Sequence, residues 1–232
     1  MDPKKANIVL DLDNTLLSAL PTEEYPFKAH PFPDAGKKKK FRDALGSFKT
    51  HSMDDTFVVH ERPGLQSFLD FLFKNFNVHV WTAASHGYMA VIIDKIIVPG
   101  DKPNRQLGWA LCSYHGKRSK KKYNGPKNLK LLFETWKLPN MNDTNTIILD
   151  DHPGVKKDNG DKCVHVIEFE LDTGGQFGDE ELKIVQNMKK DNYLTQAKKA
   201  LMEYKKRFST GGKVENAAEI FRAFNAEQPK KE

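Results

Sequence analysis

Asp11 and Asp13 stand at positions i and i+2, with Leu12 between them and Thr15 two residues further on. They follow Asn7-Ile8-Val9-Leu10, a short, nearly all-apolar run that suits a strand of a parallel sheet buried on both faces. A buried strand that ends in two acids calls for a cation, unless the chain is merely entering a turn, where Asp and Asn are ordinary residues. Mg²⁺ fits such a place: it takes one or two carboxylates and leaves its other positions to water and phosphate oxygens. Two later apolar runs end comparably, Val78-His79-Val80-Trp81 in Thr82 and Thr146-Ile147-Ile148-Leu149 in Asp150 and Asp151. In an open parallel sheet those ends share one edge, where ligands bind.

The chemistry that needs this set is phosphoryl transfer through an aspartyl phosphate. Asp11 is the expected nucleophile. A carboxylate approaching a phosphate dianion is repelled, so Mg²⁺ and a lysine must screen the charge. Asp13 is expected to offer the metal its backbone carbonyl while its side chain carries a proton to the leaving alkoxide and later takes one from water. The Thr82 hydroxyl and the Lys127 ammonium would hold phosphoryl oxygens, while Asp150 and Asp151 would complete the metal site and anchor Lys127. Taken singly, each has a plainer reading. Thr82 could cap the following helix; Asp150 and Asp151 could be turn residues before Pro153-Gly154; Arg62 could be a surface arginine at a helix start; Lys127 is one lysine among many.

The elements around these residues read as alternating strands and helices, which argues for right-handed crossovers and a parallel sheet. A strand is expected over 56–60, then a helix opened by Pro63 with Leu65, Phe68, Leu69, Leu72 and Phe73 on its apolar face. A second core strand covers 78–82, with a helix after Ser85 through Ile97. A strand over 111–114, a helix over 127–136, a third core strand over 146–151 and a strand over 164–167 follow. One or two helices are expected from 179 to about 208, with Leu182, Val185, Leu194, Ala197, Leu201 and Tyr204 inward. Residues 18–56 break the pattern. Pro21, Pro26, Pro31 and Pro33 fall among Tyr25, Phe27 and Phe32, and they forbid a continuous helix or central strand. This reads as an insertion above the first strand, with Tyr25 and Phe27 as groove-lining candidates.

The 232 residues suit one α/β domain, with a core over about 6–170, an insertion over about 18–57 and a C-terminal helical segment over about 176–226. The net charge of +6 favours an anionic partner. The excess is concentrated in clusters at 37–42 and 117–122, which read as solvated loop surface, a nuclear-import patch or a means of steering an anionic substrate. No apolar run nears the ~20 residues of a membrane helix, and no secretory signal is seen. Cys112 and Cys163 lack metal-ligand spacing and read as buried thiols. A soluble intracellular protein, nuclear or cytoplasmic, is expected, with no membrane partner. His60, His79, His86, His115, His152 and His165 form no metal-ligand pattern and read as structural.

Asp11-Leu12-Asp13-Asn14-Thr15-Leu16 resembles the first motif of the haloacid dehalogenase superfamily. Glu61-Arg62-Pro63-Gly64-Leu65, then Trp81-Thr82-Ala83-Ala84-Ser85 with Tyr88, is similar to the branch of RNA polymerase II C-terminal-domain phosphatases and NLI-interacting-factor-like phosphatases. Lys127-Asn128-Leu129 and Leu149-Asp150-Asp151-His152-Pro153 match the third and fourth motifs in order. The resemblance implies a three-layer, Rossmann-like α/β fold whose central parallel sheet is flanked by helices and carries an insertion after the first strand. It implies a Mg²⁺-dependent phosphatase of phosphoserine or phosphothreonine, with the polymerase C-terminal domain among its candidate substrates. It assigns Asp151 to the metal and Asp150 to the lysine, and it places Thr15, Arg62 and Ala83 with the substrate-binding residues. Related members dock peptide on an insertion, a role that Tyr25 and Phe27 could serve. Two alternatives stand beside this reading: a nucleic-acid 3′-phosphatase of the same fold, suited to the basic clusters, and a catalytically silent basic scaffold.

Overall fold

The computed structural model describes residues 1–21, 35–53, 57–112, 127–173, 178–209 and 217–227. Its centre is a parallel sheet of five strands among the described residues: β1 (Asn7–Leu10), β5 (Asn77–Thr82), β6 (Ala110–Cys112), β7 (Thr146–Asp150) and β8 (Cys163–His165). Their order is β6-β5-β1-β7-β8, so β1 lies in the middle with β5 and β7 beside it. The period-two alternation of each strand divides the core between two faces. Ile8, Leu10, Val78, Val80, Ile147 and Leu149 face one way, and Val9, Trp81 and Ile148 the other.

On the first face lie α2 (Leu65–Asn75), α3 (His86–Ile92), α6 (Tyr193–Ser209) and α7 (Ala217–Ala223), all feeding one core cluster. The expected inward residues of α2 and α6 are all buried. On the second face lie α4 (Pro153–Asn159) and a wide helical turn, Leu131–Thr135. The result is the three-layer α/β arrangement.

Several expectations are corrected. The strand over 56–60 is β4 (Phe57–Glu61), and it does not join the parallel sheet. It lies between β2 (Leu17–Pro21) and β3 (Thr50–Met53) in a separate antiparallel sheet of order β2-β4-β3. The first lysine cluster is not loop surface but part of a helix, α1 (Ala35–Leu45). Phe41 and Leu45, one turn apart, pack with Phe48 and with Leu182 and Val185 of α5 (Asp179–Met188), while Lys39, Lys40 and Arg42 stay exposed. The second cluster, Tyr25 and Phe27 lie outside the described residues, as do 113–114 of the strand expected over 111–114.

The helix expected over 127–136 shortens to the wide turn. Asn159 takes the first backbone groups: its Nδ2 donates at 2.7 Å to the Lys127 carbonyl, which a longer helix would use, and its Oδ1 accepts at 2.8 Å from the Leu129 amide, which a helix start leaves unpaired. Pro63 lies in a turn ahead of α2, and Gly64, at φ 83°, occupies the left-handed region that glycine enters without steric cost. Cys163 is buried, but Cys112 is only half-buried, and neither forms a disulfide.

At the edge strand β8 two outward-facing backbone groups have side-chain partners. The Cys163 carbonyl accepts from Lys156 Nζ at 2.8 Å. Glu227 Oε1 lies 3.5 Å from the His165 amide and 2.6 Å from the same Lys156. No helix among the described residues is long and apolar enough to cross a membrane.

Candidate active site

The site forms where β1, β5 and β7 end. The Asp11 amide still donates to the Leu149 carbonyl at 3.0 Å, so Asp11 leaves the sheet in register beside β7. Leu12 is fully buried and turns into the core, which separates the two acids that flank it. The chain then reverses. Asn14 adopts φ 54°, a left-handed conformation that Asn tolerates better than most residues, and its amide donates to the Leu17 carbonyl at 2.8 Å. The loop that carries Asp11 and Asp13 therefore passes directly into β2 of the small sheet.

Lys127 joins the first and last motifs. Its Nζ lies 2.7 Å from Asp11 Oδ1 and 2.7 Å from Asp150 Oδ2, and all three residues are buried. Asp150 uses its other oxygen to accept the His152 amide at 2.9 Å. Asp151 Oδ1 accepts the Thr15 hydroxyl at 3.0 Å, and its backbone carbonyl lies 2.7 Å from His165 Nε2. Tyr88, at the start of α3, donates its hydroxyl to Asp13 Oδ1 and stacks edge-on against Phe57. Thr82 is fully buried at the end of β5, and its Oγ1 accepts the Ala84 amide at 3.0 Å. The cap of α3 is Ser85, which accepts from the Tyr88 amide at 3.2 Å, so Thr82 is not the capping residue.

Burial dominates the electrostatics. It pushes the Asp11 carboxyl up to about 6 against the pull of Lys127, and it raises Asp150 to about 6, with the Asp11 charge adding. Asp13 and Asp151 are also raised by burial; the Tyr88 hydrogen bond opposes the rise at Asp13, and the Thr15 bond opposes it at Asp151. For Lys127 burial acts downward, but Asp11 and Asp150 outweigh it and hold the ammonium above the ordinary lysine value. A firmly charged lysine beside carboxylates that resist ionisation is not contradictory. Four carboxylates face one ammonium, and the surplus negative charge is not balanced by a second cation at the site among the described residues.

That surplus makes the site suitable for a cation. Asp11, Asp150 and Asp151 each offer a carboxylate oxygen, all within 4.8 Å of one another, and oxygen donors suit a hard ion such as Mg²⁺. Both Asp150 oxygens are already engaged, which leaves Asp11 and Asp151 as the carboxylates available to an ion.

The structure thus brings together Asp11, Asp13, Lys127, Asp150 and Asp151, with Thr82 ending the adjacent strand β5. Two of the residues placed with substrate from sequence are buried and hold other groups of the protein. Thr15 is fully buried and turned towards Asp151, and Arg62 is 1% exposed with its guanidinium bonded to Asp191 and the Thr15 carbonyl. Ala83 is exposed beside Thr82. Sequence reasoning gives Tyr88 and His165 no role in the site. Tyr88 offers two signals, its place in the first turn of the helix that follows the second strand ending and its presence in the motif that resembles the phosphatase branch.

Acidic strand ends around a lysine, on a three-layer α/β sheet with an antiparallel insertion, define a phosphohydrolase of the haloacid dehalogenase type. The chain belongs to the NLI-interacting-factor-like phosphatase family, whose sequence model matches residues 6–200. It is 40% identical over 166 residues to the CTD phosphatase-like protein 355R of Invertebrate iridescent virus 6, covering 70% of this chain and 85% of that one. It is 36% identical over 187 residues to the 355R protein of Invertebrate iridescent virus 3, covering 79% and 94%. The solved structure of Fcp1, an essential RNA polymerase II CTD phosphatase, superposes with a TM-score of 0.60 at 17% identity. That alignment covers 90% of this chain and 64% of Fcp1, and it bears on the fold. The protein is accordingly a phosphatase, a hydrolase of phosphate monoesters.

Proposed function

We propose that the protein is a Mg²⁺-dependent phosphoserine/phosphothreonine phosphatase that works through a phosphoryl group carried on Asp11. The observation that carries this reading is the buried Asp11–Lys127–Asp150 bridge, with both contacts at 2.7 Å. It aims one ammonium at the oxygen that must attack and holds it there through a second carboxylate. When bound, Mg²⁺ supplies the positive charge that keeps Asp11 ionised and offsets the phosphate charge. Asp11 and Asp151, with the backbone carbonyl of Asp13, would hold it.

In the first step an Asp11 oxygen bonds to phosphorus as the bond to the seryl or threonyl oxygen breaks. Asp13, raised by burial and so able to hold a proton, gives that proton to the departing alkoxide. Lys127 and the Thr82 hydroxyl receive the phosphoryl oxygens. In the second step water attacks phosphorus, Asp13 takes its proton, and the Asp11 carboxylate is released with inorganic phosphate. Tyr88 keeps the Asp13 carboxyl at the mouth throughout.

Fcp1 acts on the RNA polymerase II C-terminal domain, and a phosphorylated peptide of that kind is the substrate class proposed here. The aromatic stretch with Tyr25 and Phe27 would receive it, in a nuclear or cytoplasmic setting.

The test is a panel of aryl phosphate, phosphoserine peptide and 3′-phosphorylated oligonucleotide, each with Mg²⁺ and with EDTA. Mg²⁺-dependent turnover that favours the peptide is expected, and Asp11→Asn should abolish it while the fold is kept. Preference for the oligonucleotide would move the assignment to a nucleic-acid 3′-phosphatase. Equal turnover by wild type and Asp11→Asn would remove the site altogether.

A further inference from the structure

Arg62 is a buried cation for which the scheme above has no use. Its guanidinium carbon lies 4.2 Å from the ring centre of Tyr193 and 5.5 Å from that of Phe169. Nε donates to Asp191 Oδ2, and Nη1 donates to the Thr15 carbonyl at 2.9 Å. Its backbone amide donates to the Leu16 carbonyl at 3.0 Å, and the Phe169 amide donates to the Asn14 carbonyl at 2.7 Å. The reversing turn behind the nucleophile is thus pinned at three consecutive carbonyls. Thr15 passes the restraint on, because its hydroxyl donates to Asp151 Oδ1 at 3.0 Å. Asp191 sits between α5 and α6, and it is itself fixed: its Oδ1 accepts the Tyr193 amide at 2.8 Å and its own amide donates to the Met188 carbonyl at 3.2 Å.

We propose that Asp191 is a positioning residue of the phosphatase centre, acting through Arg62 to set the Asn14–Leu16 turn and, through the Thr15 hydroxyl, the Asp151 carboxylate. The inference rests on the reading above in one respect, that Asp151 is a metal-side ligand. Its physical basis is the rigid geometry of the guanidinium. A planar fork held at Nε by a carboxylate presents Nη1 in one direction, and at a buried site its charge must be matched. Asp191 both matches the charge and fixes the direction. Without it, the fork has no reason to stay aimed at the Thr15 carbonyl, and the Thr15 hydroxyl loses its registration on Asp151. Partners beyond the ligands commonly tune metal affinity in this way. The C-terminal helical segment is thereby part of the working centre rather than an appendage to it.

The experiment uses the full chain with Asp191→Asn, Asp191→Glu, Thr15→Val and a double variant that combines Asp191→Asn with Thr15→Val. Mg²⁺ affinity is measured by calorimetry without substrate, turnover on aryl phosphate, and folding by thermal melting in EDTA. Asp191→Asn should bind Mg²⁺ roughly 10–100-fold more weakly and lose kcat, with KM unchanged. Asp191→Glu keeps the charge, and so the fold, but displaces the fork by a methylene. It should melt like wild type yet bind Mg²⁺ several-fold more weakly, which decides the matter even where Asp191→Asn does not fold. Because both changes act on one carboxylate, the double variant should bind no more weakly than Thr15→Val alone. A folded Asp191 variant with wild-type Mg²⁺ affinity overturns the inference, as does simple additivity in the double variant. A wild type that neither binds Mg²⁺ nor hydrolyses aryl phosphate removes the phosphatase reading, and this inference falls with it.

Discussion

Replacing Lys127 by methionine keeps most of the side-chain volume and removes the ammonium, and its consequences can be worked from the site. The ammonium contacts two buried carboxylates at 2.7 Å each. Taking one partner from a buried ion pair costs about 3–5 kcal/mol, because the remaining charge stays buried without compensation. For a chain of this size, at roughly 2–4 °C per kcal/mol, the melting temperature should fall by about 6–20 °C at pH 8 in EDTA. The loss should depend on pH in a definite sense. Asp11 and Asp150 already have folded values raised from 3.8 to about 6, so the folded state binds their protons more tightly than the unfolded state does. Stability therefore falls as pH rises from the unfolded value through the folded one. Loss of Lys127 lifts both folded values further, which steepens that fall and carries it to higher pH. Near pH 5 both carboxyls can take a proton in the variant, and the deficit should shrink to about 1 kcal/mol. Urea unfolding of both proteins at pH 5 and pH 8, in EDTA, measures this directly. A deficit that is absent, or equal at the two pH values, would refute the idea that Lys127 balances buried carboxylates. Turnover should drop on the order of 10³-fold, as when an electrostatic stabiliser of the transition state is lost.

Other outcomes follow from neighbouring features. Tyr88→Phe removes the hydrogen bond that opposes the rise of Asp13, so kcat should fall roughly tenfold and the alkaline limb of its pH profile should move upward; a limb that stays put or moves down removes Tyr88 from the proton path. Gly108→Ala would drive a Cβ into His79 Cε1, and that ring is buried and stacked on Trp109 at 4.6 Å. A loss of about 2 kcal/mol is expected, read by thermal melting. Truncating Tyr25 and Phe27 to alanine should lower kcat/KM roughly tenfold for a phosphopeptide and leave aryl phosphate turnover within about twofold; equal losses on both substrates would end the docking proposal.

The parts of the fold legible in the sequence are those written in one dimension. The runs ending at Asp11, Thr82 and Asp150 are apolar because both faces of β1, β5 and β7 are covered, and the polar residues that end them follow each run directly in the sequence. The inward stripes of α2 and α6 follow a helical period for the same reason. Burial of a charge leaves no such trace. Arg62 reads as a surface residue at a helix start because its partners, Thr15 and Asp191, lie 47 and 129 residues away. The helix at 127–136 is overextended in that reading because Asn159, which takes its first backbone groups, lies across the fold. At 35–45 the lysines hide the i, i+4 pair Phe41 and Leu45 that makes the segment a helix with a buried side. β4 goes to the wrong sheet because a strand pattern does not name its neighbours.

The ion pair laid along β8 bears on how the molecule behaves in company. An edge strand with bare amides and carbonyls is a template on which another chain can add a strand. Here Lys156 covers the Cys163 carbonyl, while Glu227, drawn from the far end of the chain, stands over the His165 amide. Arg222 holds the second Glu227 oxygen at 2.9 Å and keeps it in place. Charge thus does for this edge what a further strand would do, because an uncharged segment added here would have to strip water from it. A chain cut short before Glu227 would keep every residue of the proposed centre and lose this guard, so its failing would be seen in light scattering at high concentration sooner than in turnover.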